Sequence, residues 1–251
     1  MLAVGLWLVV VGACDLLRAT RDKTSSLRRT LICAIGVSLL VLLGLLAGME
    51  GTEWVGLGLG WAVTFLMWVL ASSAALQRDS VVHRTLAFSG LSLGLAINLV
   101  GGGVLDGAEQ MPPSMGGSLL AQVPPAWLLL VSGVALFQLA SANVVGRLIL
   151  DAVGVPATTN EKQLKGGRLL GPMERLFILG LGMAGQLTAA AVVVAAKGPL
   201  RFPELQRGVE AEGPSDVTEY FLIGSFASWL VALGGLALVW GAGFSAMLYT
   251  G

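Results

Sequence analysis

Apolar residues gather in long runs along this chain, and each run is closed by a charge, a proline or a glycine. Seven runs stand out: Met1–Leu17, Thr30–Met49, Trp54–Leu76, Thr85–Leu105, Ala126–Leu150, Leu176–Ala196 and Tyr220–Leu248. The hydrocarbon core of a bilayer asks for about 20 mostly apolar residues in helical form, whereas apolar helices in soluble cores run to about 10–14. The pattern predicts an all-α protein, a polytopic transmembrane helical bundle of seven spans. Residues 1–251 read as one integral-membrane domain. Asp106–Pro125 and Gly208–Ser215 read as loops on their composition.

Composition sharpens the picture. The 251 residues are 55% hydrophobic and 12% charged, with mean hydropathy +0.83; a soluble domain of average make-up is about 25% charged. Net charge is zero, so no basic excess points to nucleic acid. The position of the charges is more informative. Twelve of the 15 basic residues follow the first span (Arg18, Arg21, Lys23, Arg28, Arg29), the third (Arg78, Arg84) or the fifth (Arg147, Lys162, Lys165, Arg168, Arg175). The other side holds Lys197, Arg201 and Arg207. The positive-inside rule then places the N-terminus outside and the C-terminus inside. Basic residues follow the first run rather than precede it, unlike a signal peptide, so that run reads as a retained span.

Two cysteines, Cys14 and Cys33, and one histidine, His83, leave little for a disulfide framework or a metal site. No cofactor is expected. His83 reads as a solvated loop residue, and the cysteines as free thiols near the inner ends of adjacent spans. Gly180-Leu-Gly182-Met-Ala-Gly185 matches the dinucleotide fingerprint in form, but it lies inside an apolar span rather than after a strand and reads as a packing surface. Trp54, Trp61 and Trp68 recur every seven residues and share one helix face, a packing or lipid-facing stripe. Small residues four apart at Gly44/Gly48, Gly56/Gly60, Gly90/Gly94, Gly224/Ser228 and Gly241/Ser245 predict close helix contacts.

Polar residues inside spans are costly and usually face the bundle interior. Asn98, Gln138, Ser141, Asn143, Gln186 and Thr188 are the candidates, as interhelical hydrogen bonds or as a polar path among spans four to six. No carboxylate or lysine is expected at mid-membrane depth. Two charged clusters flank the last spans: an inner one of Arg168, Glu174 and Arg175, in which Pro172 and Glu174 suit a first helical turn, and an outer one of Lys197, Arg201, Glu204, Glu219 and Tyr220. The outer set reads as an ion-paired clasp or as a site for a lipid head group or small anion.

The spacing Gly167-Arg168-x-x-Gly171-x-x-Glu174-Arg175, then Gln186, Ala195-Ala196-Lys197-x-x-x-Arg201-Phe202-x-Glu204 and Glu219-Tyr220-x-x-Ile223-Gly224, resembles a segment of an uncharacterised bacterial multi-span membrane-protein family. The resemblance runs from Asn143 to Ser228, so residues 143–251 form a family-like region and 1–142 an unrecognised one. It carries no established activity; it implies a bacterial source, and that the charged positions matter as a set.

Three functions fit: a non-enzymatic structural, assembly or regulatory component with other membrane subunits or a second copy as partner; a small transporter or channel; or a lipid-acting membrane enzyme. No nucleophile–base pair or metal set points to the last. All three place the protein in the bacterial cytoplasmic membrane with the bilayer as its partner. The clasp reading predicts that Arg201→Ala speeds proteolysis of the Gly198–Thr218 loop from the outer side; an unchanged cleavage rate removes the clasp.

Overall fold

A computed structural model describes residues 1–18, 25–47, 52–78, 80–101, 124–155, 167–196 and 216–249. No strand occurs among the described residues. The helices are α1 (Leu2–Arg18), α2 (Ser26–Leu46), α3 (Thr52–Arg78), α4 (Val81–Gly101), α5 (Pro125–Leu136), a π-helical turn (Phe137–Ser141), α6 (Ala142–Ala152), α7 (Gly167–Met183), α8 (Leu187–Ala196) and α9 (Asp216–Tyr249). The segment from α5 through α6 is one continuous helix, Pro125–Ala152.

Among the described residues, five helices are long and apolar enough to cross a bilayer: Ser26–Leu46, Val55–Arg78, Val81–Gly101, Pro125–Ala152 and Glu219–Gly243. Their burial is the reverse of a soluble protein's. Only 22% of the apolar window of α2 is buried, and Leu222, Phe226, Leu230 and Leu233 form an exposed stripe along α9. Apolar surface this continuous belongs to a multi-pass membrane protein.

Two of the seven predicted spans are not among these five. The first, α1, has 17 residues, about 25 Å at 1.5 Å per residue. The sixth is not one helix: α7 begins at Gly167, well before Leu176, and stops at Met183, and α8 starts after Gln186. Gly185 has φ +72°. Its N–H donates to Gly182 O at 3.0 Å, and that of Gln186 to Leu181 O at 2.8 Å. This is the paired bonding of a Schellman cap, which needs a left-handed residue just beyond the helix. Gly185 of the fingerprint-like stretch therefore ends a helix, while Gly182 packs against Leu236. Nor do Pro172 and Glu174 mark a first turn. Pro172 lies inside α7, where the missing N–H leaves the Arg168 carbonyl without its helical donor.

The chain forms two compact units, Met1–Phe137 with Ala242–Gly251, and Gln138–Gly241. In the first, α1 is the central helix. Apolar nearly all round, it packs against α2, α3, α4 and α5, with Leu2–Leu8, Val10 and Val11 buried. Two backbones meet where side chains are missing: a Cβ on Gly5 would lie 2.6 Å from Leu130 N, and one on Gly133 would lie 2.6 Å from Gly5 O. The predicted pair Gly90/Gly94 is also used, facing two ways. Gly90 sits on the α3 backbone at Trp68, and Gly94 receives the Trp7 indole of α1. Gly56, by contrast, has nothing within 4 Å. Gly48 and the Ser245 side chain lie outside the described residues.

In the second unit, α6 packs on α7. Leu150 and Val155 are buried with Tyr220 and Ile223 against them, and Gly224 lies beside Leu150, with room for a Cβ at ordinary contact distance, 3.7 Å from its Cδ1.

Gly5→Leu is expected to force α1 off α5 and lower stability by about 1–3 kcal/mol or more, read as an earlier thermal unfolding transition in detergent. Gly56→Leu, in open space, is expected to leave the transition in place.

Candidate functional site

Among the described residues, each unit buries a polar cluster. In the second it forms around Arg175, midway along α7 and 3% exposed. Its Nε donates to the Gln138 carbonyl at 2.9 Å, Nη1 to Ser228 Oγ at 2.9 Å and Nη2 to Asn143 Oδ1 at 2.6 Å. One guanidinium thereby ties α7 to Pro125–Ala152 and to α9, using the fork that a lysine lacks. Gln138 adds a bond of its own, Nε2 donating to Val231 O at 2.9 Å. Gln138 and Val231 are the midpoints of the 28-residue and 25-residue apolar helices. The bond therefore joins the centres of two spans.

The local sequence makes this possible. A π turn widens the helix and loosens its i→i+4 ladder, and here it covers Phe137–Ser141. The Gln138 carbonyl within this turn accepts from Arg175 Nε. Gln138 Oε1 and Ser141 Oγ are buried with no hydrogen-bond partner, so the layer retains unused polar capacity. Glu174, next to Arg175, is also buried, at 6% exposure.

Spans four to six read as a possible polar path; the contacts regroup its members. Gln138 and Asn143 meet Arg175 from the inner charged cluster, and Ser228, read as a packing residue, joins them. Asn98 does not. It is buried in the first unit, its Nδ2 donating to Gly94 O of its own helix at 2.7 Å, so it makes no interhelical bond there, and its Oδ1 has no partner. Gln186 is exposed in the turn between α7 and α8. The interior beside the midpoint of Pro125–Ala152 does carry charge, Arg175 and, next to it in sequence, the buried carboxylate of Glu174. The Arg168 side chain lies outside the described residues, as do Lys197, Arg201 and Glu204. Glu219 is exposed and Tyr220 half-buried in the first turns of α9, which begins at Asp216.

The polar cluster of the first unit escaped sequence reasoning. Asp15 and Arg18, three apart at the end of α1, are 1% and 7% exposed. Arg18 Nε sits 2.8 Å from Asp15 Oδ1, an ion pair rather than an aligned hydrogen bond. Asp15 Oδ2 accepts from Trp68 Nε1 at 2.9 Å. Arg18 Nη1 donates to Ser72 Oγ at 2.9 Å, Ser73 Oγ at 3.0 Å and Val69 O at 3.3 Å, and the guanidinium carbon lies 5.7 Å from the centre of the Trp68 ring, within cation–π range. Arg18 is thus an interior residue of the helical unit, not part of the loop that follows. The detectable signal was a carboxylate ending an apolar run with a cation three residues on. Trp61 and Trp68 of the tryptophan stripe are both fully buried, which makes it a packing face; the Trp54 side chain lies outside the described residues.

Among the described residues no group of three His, Cys, Asp or Glu side chains is placed to hold a metal, and both cysteines are free thiols. Cys14 Sγ–H points to Ile32 O at 3.9 Å, beside Cys33. No family model, curated protein or solved structure matches the chain.

Arg175→Lys is expected to keep the charge but lose the fork, leaving buried oxygens unpaired at a cost on the order of 1–3 kcal/mol. Ser228→Ala is expected to cost about 0.6 kcal/mol, the average for such bonds in membranes. Thermal unfolding of the two variants in one detergent checks the order, which a structurally idle Arg175 would not produce.

Proposed function

We propose that the protein is a non-enzymatic component of a bacterial cytoplasmic membrane, with a structural, assembly or regulatory role exercised through its helices. The observation that carries this reading is the fate of the interior charge. Arg175 spends its fork on three protein oxygens, and Asp15 and Arg18 spend theirs on each other, Trp68 and two serines. Groups so engaged fix helix positions instead of meeting a substrate. The apolar outer faces of α2 and α9 supply the surface on which lipid or neighbouring subunits pack.

In this reading the chain crosses seven times with its N-terminus outside. α1 makes a short first crossing, and α7 with α8 makes a sixth in two pieces. Arg18 and Arg175 are interior residues and drop out of the loop count. Ten basic residues against three still favour the same sidedness.

A transporter is the second reading, and two specific observations favour it: the break between α7 and α8, of a kind common at transporter binding sites, and the unpartnered Gln138 Oε1 and Ser141 Oγ. Proteoliposomes decide between the two. The structural reading expects no flux of inorganic ions or small anions above protein-free vesicles, with a defined oligomer or stoichiometric complex in native mass spectrometry. Flux that the wild type supports and Arg175→Lys abolishes would establish the transporter instead.

A further inference from the structure

A cavity of about 410 Å³ opens where the start of α2, the end of α3 and the start of α4 converge, all within the first unit. Its polar lining is Arg29 of α2, Gln77 and Arg78 of α3 and His83 of α4, and Leu70 and Leu86 stand among its apolar walls. His83, read from sequence as a loop residue, lies in the first turn of α4 and is half-buried. Its Nδ1 is buried with no hydrogen-bond partner. The lining therefore carries two guanidinium groups, an imidazole and an amide, with no carboxylate among the described residues. Asp79, beside Arg78, lies outside them.

We infer that this cavity binds the phosphate of an anionic phospholipid. Phosphate matches guanidinium donors in geometry as well as charge, and the N-terminus of α4 turns the positive end of its dipole toward the same place. The walls favour a lipid over a free anion. Leu70 and Leu86 are 44% and 43% exposed, so apolar surface continues from the basic residues along α3 and α4, where an acyl chain would lie. Basic pockets between helices at a membrane face hold lipid head groups in this way. The inference does not rest on the role proposed above, and it holds whichever side of the membrane the cavity faces.

The full-length protein in mild detergent can be titrated with phosphatidylglycerol, phosphatidylcholine or inorganic phosphate, with retained lipid read by native mass spectrometry and thermal unfolding recorded alongside. Wild type is expected to retain phosphatidylglycerol in preference to phosphatidylcholine and to be stabilised by it. The Arg29→Gln, Arg78→Gln double variant is expected to bind phosphatidylglycerol roughly tenfold or more weakly, while the corresponding lysine pair, still cationic, retains most of the binding. Should the glutamine pair fail to fold, Gln77→Glu places a carboxylate in the lining at an exposed position and is expected to cause a comparable loss. Equal retention by the wild type and by whichever variant folds overturns the site. A thermal shift produced in full by inorganic phosphate, with phosphatidylglycerol adding nothing, overturns the lipid assignment.

Discussion

A guanidinium buried among helices has no water to fall back on, so its bonds must come from protein oxygens or it must move to the surface. Arg175 meets that demand with a backbone carbonyl, a hydroxyl and a side-chain amide drawn from two other helical segments. The demand sets the positions of all three. Slide α7 by one turn and Arg175 loses Gln138, Asn143 and Ser228 together. Asp15 and Arg18 answer the same constraint by pairing, which leaves a cluster of no net charge for Trp68 and the serines to complete. Apolar packing alone specifies helix register weakly when lipid on one side is as greasy as the neighbour on the other. These two clusters supply the directional bonds.

Much of this was legible in the chain. Apolar run length disclosed the helices, because bilayer thickness imposes a count that side-chain detail cannot hide. Gln138 and Asn143 were legible as interior residues because their transfer cost leaves them few other places. Arg175 was read as a loop-flanking charge, since a charged residue ahead of an apolar run looks like a boundary until the helix is seen to begin at Gly167. Arg18 misled in the same way from the other end of a run, and Asp15, inside the run Met1–Leu17, drew no reading at all. Bookkeeping by hydropathy treats every charge as an edge, and it fails where a charge has been drawn inside by a specific partner distant in sequence, as Trp68 is from Asp15.

The division of the sixth run shows a different limit. Nothing in the hydropathy of Leu176–Ala196 announces a stop, because Gly185 and Gln186 barely dent the average. The stop is a matter of backbone geometry: one residue without a Cβ takes a left-handed conformation, and two N–H groups turn back on the helix just completed. Glycine is common enough in this chain, with 35 residues, that its presence could not single out the one position where it ends a helix.

The contact of α1 with α5 bears on how the molecule is made. Gly5 and Gly133 come together from opposite ends of a stretch of more than a hundred residues, so the ribosome delivers the central helix of the first unit long before the partner that encloses it. Until Pro125–Phe137 emerges, the notch at Gly5 has only lipid or a chaperone to fill it. Closure of that unit is consequently a late event in synthesis.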